Sequence, residues 1–238
     1  MRIDRPPMKS FTVVVMHLAT LVLVVFGILR SGERPPVLVY AWVLDYALRL
    51  ITLRLMLQAL SAGNAGLGAL VSAVSTPPDP GERSSPLTDE ATGRPVAFPG
   101  YLIVVSFLAT IAFVLANVNA QKQVDLDAAT LVHDLRWAGW LAMMYWAQGL
   151  ASRTIVIDPG APRELNLGYN AGDLRLLAVA VLAAGAAAAV RQTAGMASSG
   201  WVVLGPLLGV RFLFDLTSAL RASALRLRAT RPCNSARD

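Results

Sequence analysis

The stretch "FTVVVMHLATLVLVVFGIL", Phe11 to Leu29, contains no Asp, Glu, Lys or Arg. Few features constrain a chain more. A helix that crosses a bilayer needs about 20 predominantly apolar residues, and hydrocarbon tolerates only structures that satisfy their own backbone polar groups. A basic start, Arg2 to Lys9, precedes the run. The core of a signal peptide is shorter, about 7–15 residues, and is followed by a small-residue cleavage pattern. No such pattern follows Leu29, so the run is expected to be a retained first membrane helix.

Five more runs share this character, giving predicted spans over 11–29, 37–60, 101–119, 131–152, 174–190 and 201–220. Composition agrees. The chain is 55% apolar and 15% charged, with mean hydropathy +0.54, whereas a soluble domain carries about 25% charged residues to cover its surface. The expected fold class is all-α: a polytopic membrane protein of six transmembrane helices with both termini cytoplasmic. The sidedness comes from Lys and Arg, which accumulate in cytoplasmic loops. Thirteen of them fall on the side of the termini (Arg2, Arg5, Lys9, Arg83, Arg94, Arg153, Arg163, Arg175, Arg221, Arg226, Arg228, Arg231, Arg237) and four on the other (Arg30, Arg34, Lys122, Arg191). The pI near 10.1 therefore reads as an orientation signal and not as a nucleic-acid surface.

Residues 1–228 are expected to form a single membrane domain, with 229–238 as a cytoplasmic tail. Between the second and third spans, residues 61–99 read as a flexible cytoplasmic loop. Its second half, "STPPDPGERSSPLTDEATGRP", is too polar and Pro-rich to bury a core. Its first half, "SAGNAGLGALVSAV", is apolar but Gly-interrupted and could continue the second helix along the membrane surface. After Leu220, "RASALRLRATRP" extends the sixth helix. Arg221, Arg226, Arg228 and Arg231 are expected to meet anionic lipid headgroups, each at about 1 kcal/mol.

The second span holds "VLDYALRL" and the sixth "VRFLFDL". Asp45 and Arg49 are four apart and share a face; so do Arg211 and Asp215, in reverse order. The two spans run the same way. Depth along each helix pairs Asp45 with Arg211 and Arg49 with Asp215, a crossed intramembrane charge cluster of zero net charge. A lone charge at the bilayer centre costs between ~2.5 and more than 10 kcal/mol, so pairing is favoured. Such a cluster is a clasp that sets register between two helices or part of a proton or ion path; the third alternative is that the charges do not meet across the helices. Arg54, on the opposite face, can snorkel to the interface.

The fourth span opens with His133, Asp134 and Arg136, an outer-interface polar group beside Trp137 and Trp140, an arrangement common at membrane interfaces. His17 is the only other histidine and stands alone in the first span. A metal site needs more ligands at helical spacing, so no metal is expected. Cys233 is the only cysteine, which excludes an intramolecular disulfide. "MMYW", 143–146, reads as packing. The Ala-rich fifth span suits close helix approach. No nucleotide loop, serine elbow or zinc-protease motif is present, so no catalytic residue or cofactor is assigned, and the enzyme question leans to no.

Two motifs carry a resemblance: "VYAWVLDYALRL", with an acidic residue after an aromatic stretch early in the second helix, and "LLGVRFLFDLTSALR", with a basic then an acidic residue in the last helix. With the order of spans and the long polar loop, the chain resembles an uncharacterised bacterial family of six-helix integral membrane proteins, domain of unknown function 6498. That family more often has Glu where this chain has Asp45, and Lys where it has Arg211. The resemblance implies the six-span topology and no catalytic residue. The reading that follows is a structural or interaction subunit of the bacterial cytoplasmic (inner) membrane. Its partners are the lipid bilayer and anionic headgroups, with a protein partner or a homo-oligomer left open and no nucleic acid. The alternatives are a small proton- or ion-linked transporter that uses the Asp–Arg pairs, and a lipid-modifying membrane enzyme.

Overall fold

The computed structural model describes residues 10–78, 128–161, 166, 169–170 and 201–229, and these are mostly helical. The predicted spans 101–119 and 174–190 and the tail 230–238 lie outside the described residues. The elements run α1 (Ser10–Arg30), α2 (Pro35–Ser61), α3 (Ala65–Val74), β1 (Ser75–Thr76), α4 (Ala128–Ser152), β2 (Ile155–Val156) and α5 (Trp201–Ala229).

Local chemistry sets the boundaries. After α1 the chain reverses over Ser31–Arg34, and Gly32 takes φ +80°, a conformation open to glycine without steric cost. Pro35 and Pro36 then open α2, where a missing N–H is not needed. At the other end of α2, Asn64 caps α3: its Oδ1 accepts from the backbone N–H of Gly66 at 3.1 Å and of Leu67 at 3.2 Å. This satisfies two of the donors that a helix start leaves open.

Among the described residues, four helices form the bundle. The α1–α2 turn, the start of α4 and the start of α5 lie at one end, so α2, α4 and α5 run parallel to one another and antiparallel to α1. A continuous core joins them: Val24 and Ile28 from α1, Leu38 and Trp42 from α2, Leu141 and Tyr145 from α4, Leu204 and Leu207 from α5. A second apolar cluster closes the opposite end, with Leu53 and Met56 of α2, Val71 of α3, and Ile155 and Ile157. There β1 and β2 pair in parallel, Ser75 with Ile155 and Thr76 with Val156. The region 61–78 is thus folded, where the sequence assigns it to a flexible loop. The apolar face of "AGLGALV" finds a partner in α2, and its glycines do not prevent a capped helix of ten residues.

By length and composition, α1 and the stretch Pro36–Ser61 of α2 are long and apolar enough to cross a membrane. At 1.5 Å per residue, α1 spans about 32 Å, close to the hydrocarbon thickness of about 30 Å. Its buried face carries Val13, His17, Val24, Gly27 and Ile28. Its outward face is equally apolar: Phe11, Val15, Leu18, Val22, Phe26 and Leu29 are all exposed. A helix that is hydrophobic all round suits lipid or a deep core, not water.

Helix α1 meets α4 at Gly27. A Cβ there would come within 2.7 Å of Trp140 and 2.9 Å of Leu141. Gly27→Ala gains up to about 1 kcal/mol of helix propensity but forces overpacking that costs about 1–3 kcal/mol, so a net loss is expected. Gly139 on α4 faces open space; Gly139→Ala should leave stability unchanged or raised. Thermal unfolding of the two variants in detergent checks the opposite signs.

Candidate functional site

The centre of the bundle holds a chain of charges. Arg211 on α5 reaches across to α2 and donates from Nη2 to Asp45 Oδ2 at 2.6 Å. Its Nε donates to Asp215 Oδ2, one turn along α5, at 2.8 Å. Asp45 is shared: Arg49 Nε also donates to it, at 3.0 Å to Oδ1 and 3.1 Å to Oδ2. The contacts run Arg49–Asp45–Arg211–Asp215, and the Arg211–Asp45 pair crosses between the helices. That pair is one that depth along the helices suggests. Each arginine also binds the carboxylate one turn away on its own helix.

Aromatic rings enclose the central guanidinium. Arg211 Cζ lies 4.9 Å from the Tyr145 ring centroid and 5.9 Å from that of Trp42, within the reach of cation–π attraction. Asp45, Arg211 and Asp215 are buried. In a low-dielectric site ion pairs are strong, but desolvation is costly and is repaid only when every charge has partners. Arg49 is accommodated by a glycine: its guanidinium lies over Gly149 of α4, where a Cβ would come within 3.1 Å of it. Beside it, Trp146 Nε1 donates to Thr52 Oγ1 at 2.8 Å, tying α4 to α2. The stretch "MMYW" is thus more than packing: Tyr145 and Trp146 each make a specific polar or cation contact.

Arg49 and Asp215 also line a cavity of about 260 Å³, together with Tyr46, Thr76, Tyr169, Asn170 and Arg221. The strand pair forms part of its wall. Asn170 holds that wall: it accepts from the Val156 N–H at 3.0 Å and donates to the Val156 carbonyl at 2.8 Å.

The other sequence-derived sites divide. Asp134 is buried and bridged by Arg34 of the α1–α2 turn, with Nε–Oδ1 at 2.7 Å, while His133 and Arg136 are exposed. The outer-interface group is therefore not one site. Asp134 is an internal tie between the α1–α2 turn and α4, and its partner lies a hundred residues upstream. Arg34→Ala strands a buried carboxylate at a cost of about 1–3 kcal/mol; adding Asp134→Asn should recover most of it, read by thermal unfolding.

On α5, Arg221 is exposed and lines the cavity. Arg226 is half-buried and donates from Nε to Thr76 Oγ1 at 3.3 Å; burial, and then the neighbouring Arg153, push it down to about 10. Ala219, Ala222 and Ser223 are buried. The helical extension therefore packs against the strand pair, and Arg226 reaches Thr76 on it, because the folded 61–78 segment supplies a surface there. Arg228 lies on α5, its side chain outside the described residues, as is Arg231.

Among the described residues no group of three or more His, Cys, Asp or Glu side chains gathers to hold a metal. His17, which the sequence shows only as a lone histidine in the first span, is buried in the bundle and lines a small void with Asp215. Its polarity on a buried face, one turn from Thr20, was the available signal. Compared with protein-family models, with curated proteins and with solved structures, the chain matches none.

Proposed function

We propose that this chain is a six-span integral protein of a bacterial cytoplasmic membrane, with both termini cytoplasmic, acting as a structural or interaction subunit. In this reading the charge chain is a clasp that fixes α2 against α5. The observation that carries it is Arg211, held by Asp45 across the interface, by Asp215 on its own helix and by two aromatic rings. Between helices in lipid there is no hydrophobic drive, so such polar contacts select partners. The membrane placement rests on the apolar α1 and α2 and on the outward apolar face of α1. The six-span count draws on the parallel run of α2, α4 and α5. The chain leaves α2 and β1 at one end and re-enters at the start of α4 at the other, and it does the same between β2 and α5. The resemblance to the six-helix family is compatible with this arrangement.

Two measurements test the reading. With Cys233 replaced by Ser, cysteines placed at Gln123 and Ser198 should react with an impermeant thiol reagent from outside, and those at Ser84 and Ser235 should not. Outside labelling at Ser84 would overturn the topology. Reconstituted in liposomes with a pH-sensitive dye, the protein should add no proton flux over empty vesicles. The runner-up, a proton- or ion-linked transporter, is favoured by the cavity that opens onto Arg49 and Asp215. Flux that disappears on combining Asp45→Ala with Arg211→Ala would select it.

A further inference from the structure

We infer that His17 is a buried proton-exchanging site, fed from the large cavity through Asp215 and a single water. Histidine is the one side chain whose ordinary range lies near neutral pH. His17 is 1% exposed. Its Nδ1 lies 2.8 Å from the Val13 carbonyl oxygen. A carbonyl only accepts, so Nδ1 carries the proton and the tautomer is set. Nε2 is then an acceptor in the neutral ring, and it is buried with no partner among the described residues. A buried polar atom left unsatisfied costs about 1–3 kcal/mol, so an unpartnered nitrogen points to a ligand.

His17 lines a void of about 10 Å³ with Thr20, Tyr145, Gln148, Phe212 and Asp215. That is close to the volume one water requires, about 10–15 Å³. Among the lining residues, His17, Gln148, Tyr145 and Asp215 carry polar side-chain groups, and a water needs two to four polar partners. Tyr145 and Gln148 come from α4, and Asp215 from α5. The charge bonded to Asp215 on α5 is Arg211. Helix α2 contributes no lining residue; its Asp45 and Arg49 are reached through Arg211.

Asp215 lines both this void and the 260 Å³ cavity. Asp215 is the residue that the two linings share. The transfer balances. A proton from cavity water forms an O–H bond on Asp215. That bond breaks as the proton passes to the bridging water, which gives up one of its own to Nε2. Asp215 returns to carboxylate beside an imidazolium whose Nδ1–H stays on Val13. Arg211 keeps Asp45 throughout. The site shares Asp215 and Tyr145 with the charge chain and holds whichever side of the membrane the cavity faces.

The chain has two histidines, His17 buried and His133 exposed, so the second is an internal reference. With 15N-histidine protein in lipid nanodiscs, NMR transfer from water protons to each imidazole nitrogen can be followed. Transfer to His17 Nε2 is expected in the wild type. Asp215→Asn should slow it about tenfold, and Gln148→Leu, which fills the void and leaves the charge chain intact, should abolish it. His133 should not change in either. Absence of transfer to His17 in the wild type overturns the proposal. So does unchanged transfer in Gln148→Leu, which decides the matter if Asp215→Asn does not fold.

Discussion

Arg211→Ala is expected to remove most of the folded protein, a loss of about 3–5 kcal/mol, the usual cost of breaking a buried ion pair from one side. No other single charge touches as much. Its removal takes away the bridge to Asp45, the bridge to Asp215 and two aromatic contacts. The order of these contacts predicts a ranking. After Arg49→Ala, Asp45 still has Arg211 at 2.6 Å, so the loss should be clearly smaller. Arg211→Lys should rescue only in part, because an ammonium cannot fork in a plane between two carboxylates or stack on rings as a guanidinium does. Folded yield and unfolding temperature of the three variants, in the same detergent, give the order.

Trp42→Ala is expected to cost about 3–5 kcal/mol, the range for emptying a buried aromatic site. Trp42 heads the largest fully buried side chains and sits in the core that joins all four bundle helices. It also faces Arg211. The cavity would therefore loosen the Asp45–Arg211 bridge as well as the packing around it. Trp42→Phe retains a ring over the guanidinium and should lose less than half as much. Equal damage from the two changes would mean that the indole's outer ring, and not its cation contact or bulk, carries the effect.

The helices that were legible in the sequence are those whose apolar runs are long. Expected spans 11–29, 37–60 and 131–152 fall inside α1, α2 and α4, with bounds that differ by a few residues. The last helix runs on to Ala229, as its Arg–Leu–Ala alternation suggests. Residues 61–99 read as a flexible loop whose Gly-interrupted apolar half could continue the second helix; Asn64, a strong cap, is the sign of the separate helix that forms there. The four charged residues of the cluster were visible because charges in apolar runs are costly and must be explained. Helical depth also pairs Asp45 with Arg211, and the two meet at 2.6 Å. What depth does not show is that each arginine also binds the carboxylate one turn away on its own helix. Long-range pairs were the least legible. Nothing local links Arg34 to Asp134, or Arg226 to Thr76; the fold alone brings them together.

The claim on which the account rests is that α2 and α5 are joined through Asp45 and Arg211. A double-mutant cycle on folding free energy tests it, using Asp45→Ala, Arg211→Ala and the pair. If the bridge exists, the double variant is damaged less than the sum of the singles, with a coupling within the 0.5–3 kcal/mol range for contacting residues, although Arg49 and Asp215 each lose a bridge in it. Additivity within about 0.5 kcal/mol, as for residues that do not touch, would contradict it.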